Sequence, residues 1–491
     1  MSPPAAADSH AAASAVSLPA TVSETLSEIS SRERFRGLLW LVAAAFFMQA
    51  LDSTVVNTAV PAMAEALLVT PLGMRTALTS YVLTLAILIP ASPWLCDRLG
   101  TRRVFGVAII VFGVGSLLCG IAQTLPELVA ARVLQGVGGA SLMPVGRYVL
   151  VRSIDKREFV RAMSTVATFG LLGSVLGPLL GGALVQFTSW RLIFLINVPV
   201  AIAGVWMNKR DMPDYRLERA NRFDMLGFLL FAGASALLLT ASEQAGISPV
   251  PWSRIGLFSL LAVLLGTVYV WRSRRVTYPV ADLTLLRVRS VWVALAGGLF
   301  TRLGISGMFL LLMLFLQVGC GWSPLMAGLM MVPQALGSIS AKWVIHRALI
   351  HFGYRRLLLG NTLMVAVLLA AFALLGPSSP VWIIALLTFL YGSFAGLQYT
   401  AMNTLIYHDL DIRHAAMASS MASTAQYLAM SFGIALSTLV MEALLLGHAH
   451  SDYVVAFRWT VLLLAVITAV ASRVFSRLPR DRPLPVVAVT E

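Results

Sequence analysis

Apolar residues along this chain neither alternate nor recur every third or fourth position. They come in long runs. From Gly37 onward the runs lie near residues 37–59, 76–95, 104–122, 127–149, 160–184, 191–208, 224–242, 254–271, 290–316, 324–345, 356–375, 381–403, 414–443 and 455–475. An α-helix needs about 20 such residues to cross the hydrocarbon core of a bilayer. The pattern therefore predicts an all-α polytopic membrane protein with fourteen transmembrane helices. The first, ninth and thirteenth runs are long enough to tilt or bend.

Composition sharpens this reading. The 491 residues are 58% hydrophobic and only 12% charged, with a mean hydropathy of +0.83. A soluble domain carries about 25% charged residues. The net charge of +14 would suit nucleic acid, but its placement argues otherwise. If the N-terminus is cytoplasmic, thirty of the 36 Lys and Arg residues fall on that side. Four (Arg75, Arg191, Arg254, Arg458) fall on the other, and two (Arg132, Arg302) lie inside runs. This asymmetry puts both termini in the cytoplasm and the basic loops near anionic lipid. No zinc spacing or RNA-binding signature accompanies the charge, so no nucleic-acid partner is expected. Cys96, Cys119 and Cys320 are scattered and predict no disulfide framework and no metal site. Residues 1–31 hold no Lys or Arg, unlike a secretory signal, and read as a disordered cytoplasmic tail; residues 479–491 read as a second tail.

The chain also repeats itself. "DRLGTRRVFGV" after the second run resembles "IHFGYRRLLLG" after the tenth. Gly100, Arg102 and Arg103 match Gly353, Arg355 and Arg356 at an offset of 253 residues, and Thr70-Pro71-Leu72 matches Ser323-Pro324-Leu325 at the same offset. The chain thus divides into six-helix halves at 32–212 and 276–478, with runs 7 and 8 (213–275) as an inserted pair. Repeats of this kind place a substrate site near the midplane between the halves.

Four motifs in order resemble the major facilitator superfamily, and within it the fourteen-span drug–proton antiporters of the EmrB/QacA type. They are "LDSTVVNTAVP" (51–61), "WLCDRLGTRRVF" (94–105), "ARVLQGVGGA" (131–140) and "GLLGSVLGPLLGGAL" (170–184). The likeness covers nearly the whole chain beyond its N-terminal tail. One position departs from it: Pro93 stands where the loop motif has Gly. The resemblance implies two six-helix halves, alternating access, and export of small molecules against protons, with no cofactor beyond the proton gradient. It also implies a role in proton coupling for Arg132 and an antiporter function for the fifth span.

The residues themselves carry this chemistry. Asp52 is a carboxylate within an apolar run, and ionisable groups there are expensive and usually functional. It is read as a proton-coupling residue, in contact with a water-accessible cavity. Arg132 stays charged and needs a carboxylate, carbonyls or water, and Gln135 is one helical turn away. Arg302 maps by the 253-residue offset onto Gln49, one turn before Asp52, and is expected to bind an anionic substrate group or to pair reversibly with Asp52. Asn57, Gln135, Asn197 and Gln317 are further candidates for substrate contact. Asp97, Arg98, Gly100, Arg102 and Arg103 form a charged turn that reads as a conformational latch. Gly173, Gly177 and Gly181, spaced by four, with Pro178 and Gly182, give the fifth span a smooth face that packs closely and a point where it can kink. Glu243 and Glu442 lie near predicted outer ends and are expected to be wetted.

With one Asp against two Arg in the interior, the expected cavity favours amphipathic, zwitterionic or anionic substrates. The leading reading is a proton-coupled exporter, monomeric, in a bacterial inner membrane. The alternatives are an organic-acid or metal-chelate transporter or exchanger of the same fold, and a channel. No HExxH, GxSxG or ATP-binding P-loop occurs, so an enzyme or an ATP-driven pump is not expected.

Overall fold

The computed structural model describes residues 20–153, 156–217, 223–245, 250–410, 415–446 and 452–479; for 20–34, 156, 157, 159, 160, 415 and 416 it describes the helical backbone alone. The fold is all-α. Thirteen helices among the described residues are long and apolar enough to cross a membrane. One of them, Pro324–Phe372, runs for 49 residues and turns at Gly353 (φ 69°, ψ 170°), so it makes two spans. This gives the fourteen spans read from the sequence.

In chain order they are α1 (Ala20–Ala66), α2 (Arg75–Leu99), α3 (Thr101–Ile121), α4 (Leu125–Ser153), α5 (Lys156–Phe187), α6 (Leu192–Asp211), α7 (Met225–Gln244), α8 (Trp252–Ser273), α9 (Arg289–Gly319), α10 (324–352), α11 (354–372), α12 (Val381–Leu405), α13 (Ala415–Leu446) and α14 (Tyr453–Phe475). Of the expected N-terminal tail, residues 1–19 lie outside the described residues, and the stretch from Ala20 is already helical rather than irregular. Residues 480–491 of the second tail also lie outside them.

The two halves use the same packing scheme. In the first, α1 runs along α5 and α4 packs on α2 and α3; in the second, α9 packs on α13 and α14, and α12 on the α10–α11 pair. The halves meet where α2 touches α13 and where α5 touches α10. The inserted α7 sits beside α2 and α13, and α8 packs chiefly on α7. Arg272 of α8 pairs with Asp224, the N-cap of α7, at 2.7 Å. Side chains such as Trp206, Ile202, Leu260 and Trp343 stand exposed on the outside of the bundle. On a chain built of membrane-spanning runs, that is the lipid-facing surface.

The repeat is visible in the backbone. Gly100 (φ 90°) and Gly353 (φ 69°) occupy the same turn in the two halves, in a region of φ that a side chain disfavours. The core is distributed unevenly. At the face opposite the chain termini, one apolar cluster draws on both halves, from Val55 to Met63 of α1 and from Ile305 to Leu316 of α9. Toward the terminal face one cluster gathers around Phe105 and Phe112 in the first half, with Tyr427 and Met430 of α13 packed on it, and another around Met402 and Phe475 in the second. The apolar contact that joins the halves is thus concentrated at the face opposite the termini.

Candidate functional site

Asp52 lies on the face of α1 that meets α4, and it is fully buried. Arg132 Nη1 donates to its Oδ2 at 2.8 Å, and Gln135 Nε2 donates to its Oδ1 at 2.8 Å. Asn197 Nδ2 reaches the same Oδ1 at 3.4 Å. Arg132 and Gln135 share a face because they are three residues apart on α4, and Arg132 Nη1 also donates to Gln135 Oε1 at 2.5 Å. Ser116 of α3 closes the network, accepting from Gln135 at 2.6 Å and from Asn197 at 3.3 Å. The guanidinium lies 4.0 Å over the Tyr81 ring of α2, and its Nε donates to Ala77 O at 3.4 Å.

Five helices of one half thus enclose a single ion pair, with both carboxylate oxygens of Asp52 hydrogen-bonded and the Tyr81 hydroxyl beside it left without a partner. The expectation that Asp52 faces water fails in this state. The donors around it replace water, so the low dielectric that makes an unpaired charge costly instead holds the pair together. Gln135 and Asn197, candidates for substrate contact, are bound to Asp52. The sequence reading missed Ser116 and Tyr81. A lone Ser within an apolar run was the only signal for the first.

Arg302 does not pair with Asp52. It lies on α9 in the other half, where Nη2 donates to Asn403 Oδ1 and Gln426 Oε1, each at 3.2 Å, and its guanidinium sits 5.2 Å from the Tyr399 ring. The position that α9 offers in place of Asp52 is Ile305, so this half has no matching carboxylate. Its polar interior is neutral instead: Asn361 donates to Gln398 at 2.7 Å, and Gln398 to Thr362 at 2.8 Å.

The face opposite the termini is closed by polar contacts as well as apolar ones. Arg75 of α2 forms an ion pair with Glu442 of α13 and donates to the Glu243 carbonyl of α7 at 3.3 Å. Thr79 Oγ1 donates to the Glu243 carboxylate at 3.1 Å. The two glutamates, expected in water, are the acceptors of this junction, because α13 and α7 bring their ends over the start of α2. Gln317 Nε2 of α9 donates to Thr58 O of α1 at 3.0 Å, joining the halves, whereas Asn57 bonds back to Ser53 O within α1.

The loop motif is held within its own half. Arg102 Nε donates to Met212 O at 2.6 Å, its backbone N to Asp214 Oδ1 at 3.2 Å, and Thr101 Oγ1 to Pro213 O at 2.7 Å. Asp97 lies beside Tyr148 and Arg152 of α4, and Arg98 lies over Trp94. Arg103 is exposed. Pro93 is accommodated because a 3-10 turn at Ile89–Ala91 breaks α2, and Pro93 stands in the first turn of the segment that follows.

The small face of α5 serves two seams. A Cβ on Gly173, Gly177 or Gly181 would run into α1, from Phe47 to Val55. One on Gly182 would strike the backbone of Pro324 and Leu325 of α10, and Gly328 of α10 in turn meets the Pro178 carbonyl.

Comparison with known proteins agrees with this architecture. The model of the Major Facilitator Superfamily matches residues 42–434. The MdtD protein of Cronobacter sakazakii, named for multidrug resistance, is 40% identical over 457 residues, which are 91% of this chain and 96% of that protein. The protein of the same name from Serratia proteamaculans is 39% identical, over 90% of this chain and 93% of its own. Among solved structures, a D-xylose–proton symporter superposes with a TM-score of 0.65 at 12% identity, covering 91% of this chain and 98% of that one. A bacterial homologue of the lysosomal transporter Spinster, in an inward-facing and unoccupied conformation, gives 0.63 at 15% identity, covering 89% and 95%. A multi-pass helical chain with two repeated halves, closed at one face and matched by the family model over most of its length, belongs to the Major Facilitator Superfamily of transporters.

Proposed function

We propose that this chain is a proton-coupled exporter of small molecules that works by alternating access, with Asp52 as the proton site and Arg132 as its partner. The observation that carries the reading is the buried Asp52–Arg132 pair at 2.8 Å, set on the helix that also closes the molecule. Thr58, which accepts from Gln317 of the other half, lies six residues along α1 from Asp52, or about 9 Å at 1.5 Å per residue.

The chemistry follows from the contacts. With Asp52 ionised, three side-chain donors pull α1 onto α4 and α6. A proton on Asp52 turns one acceptor oxygen into a hydroxyl and removes the charge that Arg132 balances. The guanidinium cannot lose its own proton; it keeps Gln135 Oε1 and Ala77 O as acceptors and moves toward them, away from α1. That motion loosens α1 from its half and shifts the Thr58 end against α9 and α10. The Arg75–Glu442 pair and the smooth seam between α5 and α10 let the closed face part without a change within either half. The same reading places both termini in the cytoplasm of a bacterial inner membrane, from the Arg distribution, and makes the described state the inward-open one. Asp52 and Arg302, with all their partners, belong to one chain, so on this reading a monomer suffices.

The test is transport in proteoliposomes with an imposed pH gradient. Wild-type protein is expected to accumulate a substrate only with the gradient, and the Asp52→Asn variant to equilibrate it without accumulating. Gradient-driven accumulation by Asp52→Asn at the wild-type rate would overturn the assignment. A second reading, exchange of organic anions on the same fold, is favoured by one observation: the buried Arg302 lacks a carboxylate.

A further inference from the structure

Arg302 is 6% exposed. Among the described residues no Asp or Glu forms an ion pair with it. Its Nε is buried with no hydrogen-bond partner, and its Nη2 is shared between two neutral amide oxygens. Arg132, equally buried, has Asp52. An uncompensated buried guanidinium is costly in an apolar span.

Its surroundings are arranged for an anion. Asn403 and Gln426 turn their oxygens to Arg302 Nη2, which leaves their amide NH2 groups free to donate. Asn403 is exposed and lies two residues before the end of α12, on the side of Arg302 toward the terminal face. Tyr399, under the guanidinium, packs with Met402 and Met421 in the apolar cluster of this half. At the repeat-related position of α1, Gln49 Oε1 is also buried with no partner. The two halves of this fold are related by an axis along the membrane normal, which sets Gln49 and Arg302 at matching depth.

Resting on the transporter reading above, we propose that Arg302, Asn403 and Gln426 bind the carboxylate of an amphipathic organic acid that enters from the terminal face. A guanidinium edge takes a carboxylate by two parallel hydrogen bonds. A cationic group is repelled there, and a neutral amide leaves the charge unmet. The apolar part of the substrate lies against Tyr399 and the methionines, whose side chains adapt to varied shapes.

Three probes of matched shape test this on the full chain in lipid nanodiscs: 1-naphthoate, 1-naphthamide and 1-naphthylmethylamine. Calorimetry is expected to show naphthoate binding to the wild type, with the amide and the amine weaker by roughly 30-fold or more. Arg302→Gln loses that preference, and Arg302→Lys keeps part of it. Asn403→Asp places a carboxylate on Arg302. It is expected to abolish naphthoate binding while the Tm holds or rises, so the result stands even if the arginine variant folds poorly.

Equal naphthoate affinity in wild type, Arg302→Gln and Asn403→Asp would overturn the proposal. So would preference for the amine, or no binding of any probe to the wild type. Asp52→Asn separates the two readings, since it should keep the preference for naphthoate over the amide and the amine even where linkage shifts the affinity itself. If it also accumulates naphthoate on a pH gradient, the coupling role of Asp52 fails and the Arg302 site stands.

Discussion

The two halves share a helix plan and a glycine turn, yet they treat a buried arginine in opposite ways. Arg132 is locked to Asp52 within a closed network of Gln135, Asn197 and Ser116. Arg302 meets two neutral amide oxygens and the Tyr399 ring, and keeps an unbonded Nε. The difference lies in one position of α1 and α9: Asp52 on the first, Ile305 on the second. On the proposals above, a duplicated scaffold separates two tasks: one half keeps an internal carboxylate for a proton, and the other leaves its cation for a ligand. A pair satisfied within one half does not respond to substrate charge directly. It responds through α1, which reaches the other half at Thr58.

The largest effect should come from breaking the closed network. Arg132→Ala strands a buried carboxylate and should cost about 3–5 kcal/mol, read as a fall in the Tm of purified protein. The double variant Asp52→Asn/Arg132→Gln should recover most of that loss, because no charge remains to be stranded. A second, smaller effect tests the seam that α1 shares with α5. Gly177→Leu should cost about 1–3 kcal/mol by overpacking and slow transport more than it weakens binding, measured as turnover against probe affinity.

Glu442→Gln leaves the buried Arg75 without its carboxylate and weakens the closed face. Its readout is Cys320, which lies in the short turn between α9 and α10 and packs on the cluster joining the halves. Burial pushes this thiol above its ordinary value, so maleimide labelling of the wild type should be slow at neutral pH. In Glu442→Gln it should be a few-fold faster. The smallest stability effect should fall on Arg302→Gln. Without ligand it removes an unpaired charge, so its Tm should stay level or rise, opposite in sign to Arg132→Ala. A fall as large as that of Arg132→Ala would erase the contrast between the halves.

Much of this was legible in the residues. Span number and the duplication followed from run length and the Gly-x-Arg-Arg turns, because membrane thickness and backbone sterics act on local sequence. The pairing of Asp52 with Arg132 was only partly legible. Two intramembrane charges of opposite sign were visible, but the 80 residues between them hide which helix faces meet. Periodicity could not choose between Arg132 and Arg302 as the partner, and depth alone favoured both. Ser116, Asn197 and Gln135 became one network only through packing of α3, α4 and α6. The Arg75, Glu243 and Glu442 junction was missed because each residue, taken singly, looks like an ordinary wetted span end. Only the meeting of α2, α7 and α13 makes it a closure.

The central claim is that the proton and the substrate's charge reside in different halves, and proton release on ligand addition tests it most directly. With purified protein first loaded with protons at acid pH, and then weakly buffered with a pH indicator, 1-naphthoate should release protons from the wild type. Asp52→Asn should bind the probe without release, and Arg302→Gln should give neither. Equal release from wild type and Asp52→Asn would contradict the account and move the proton site away from Asp52.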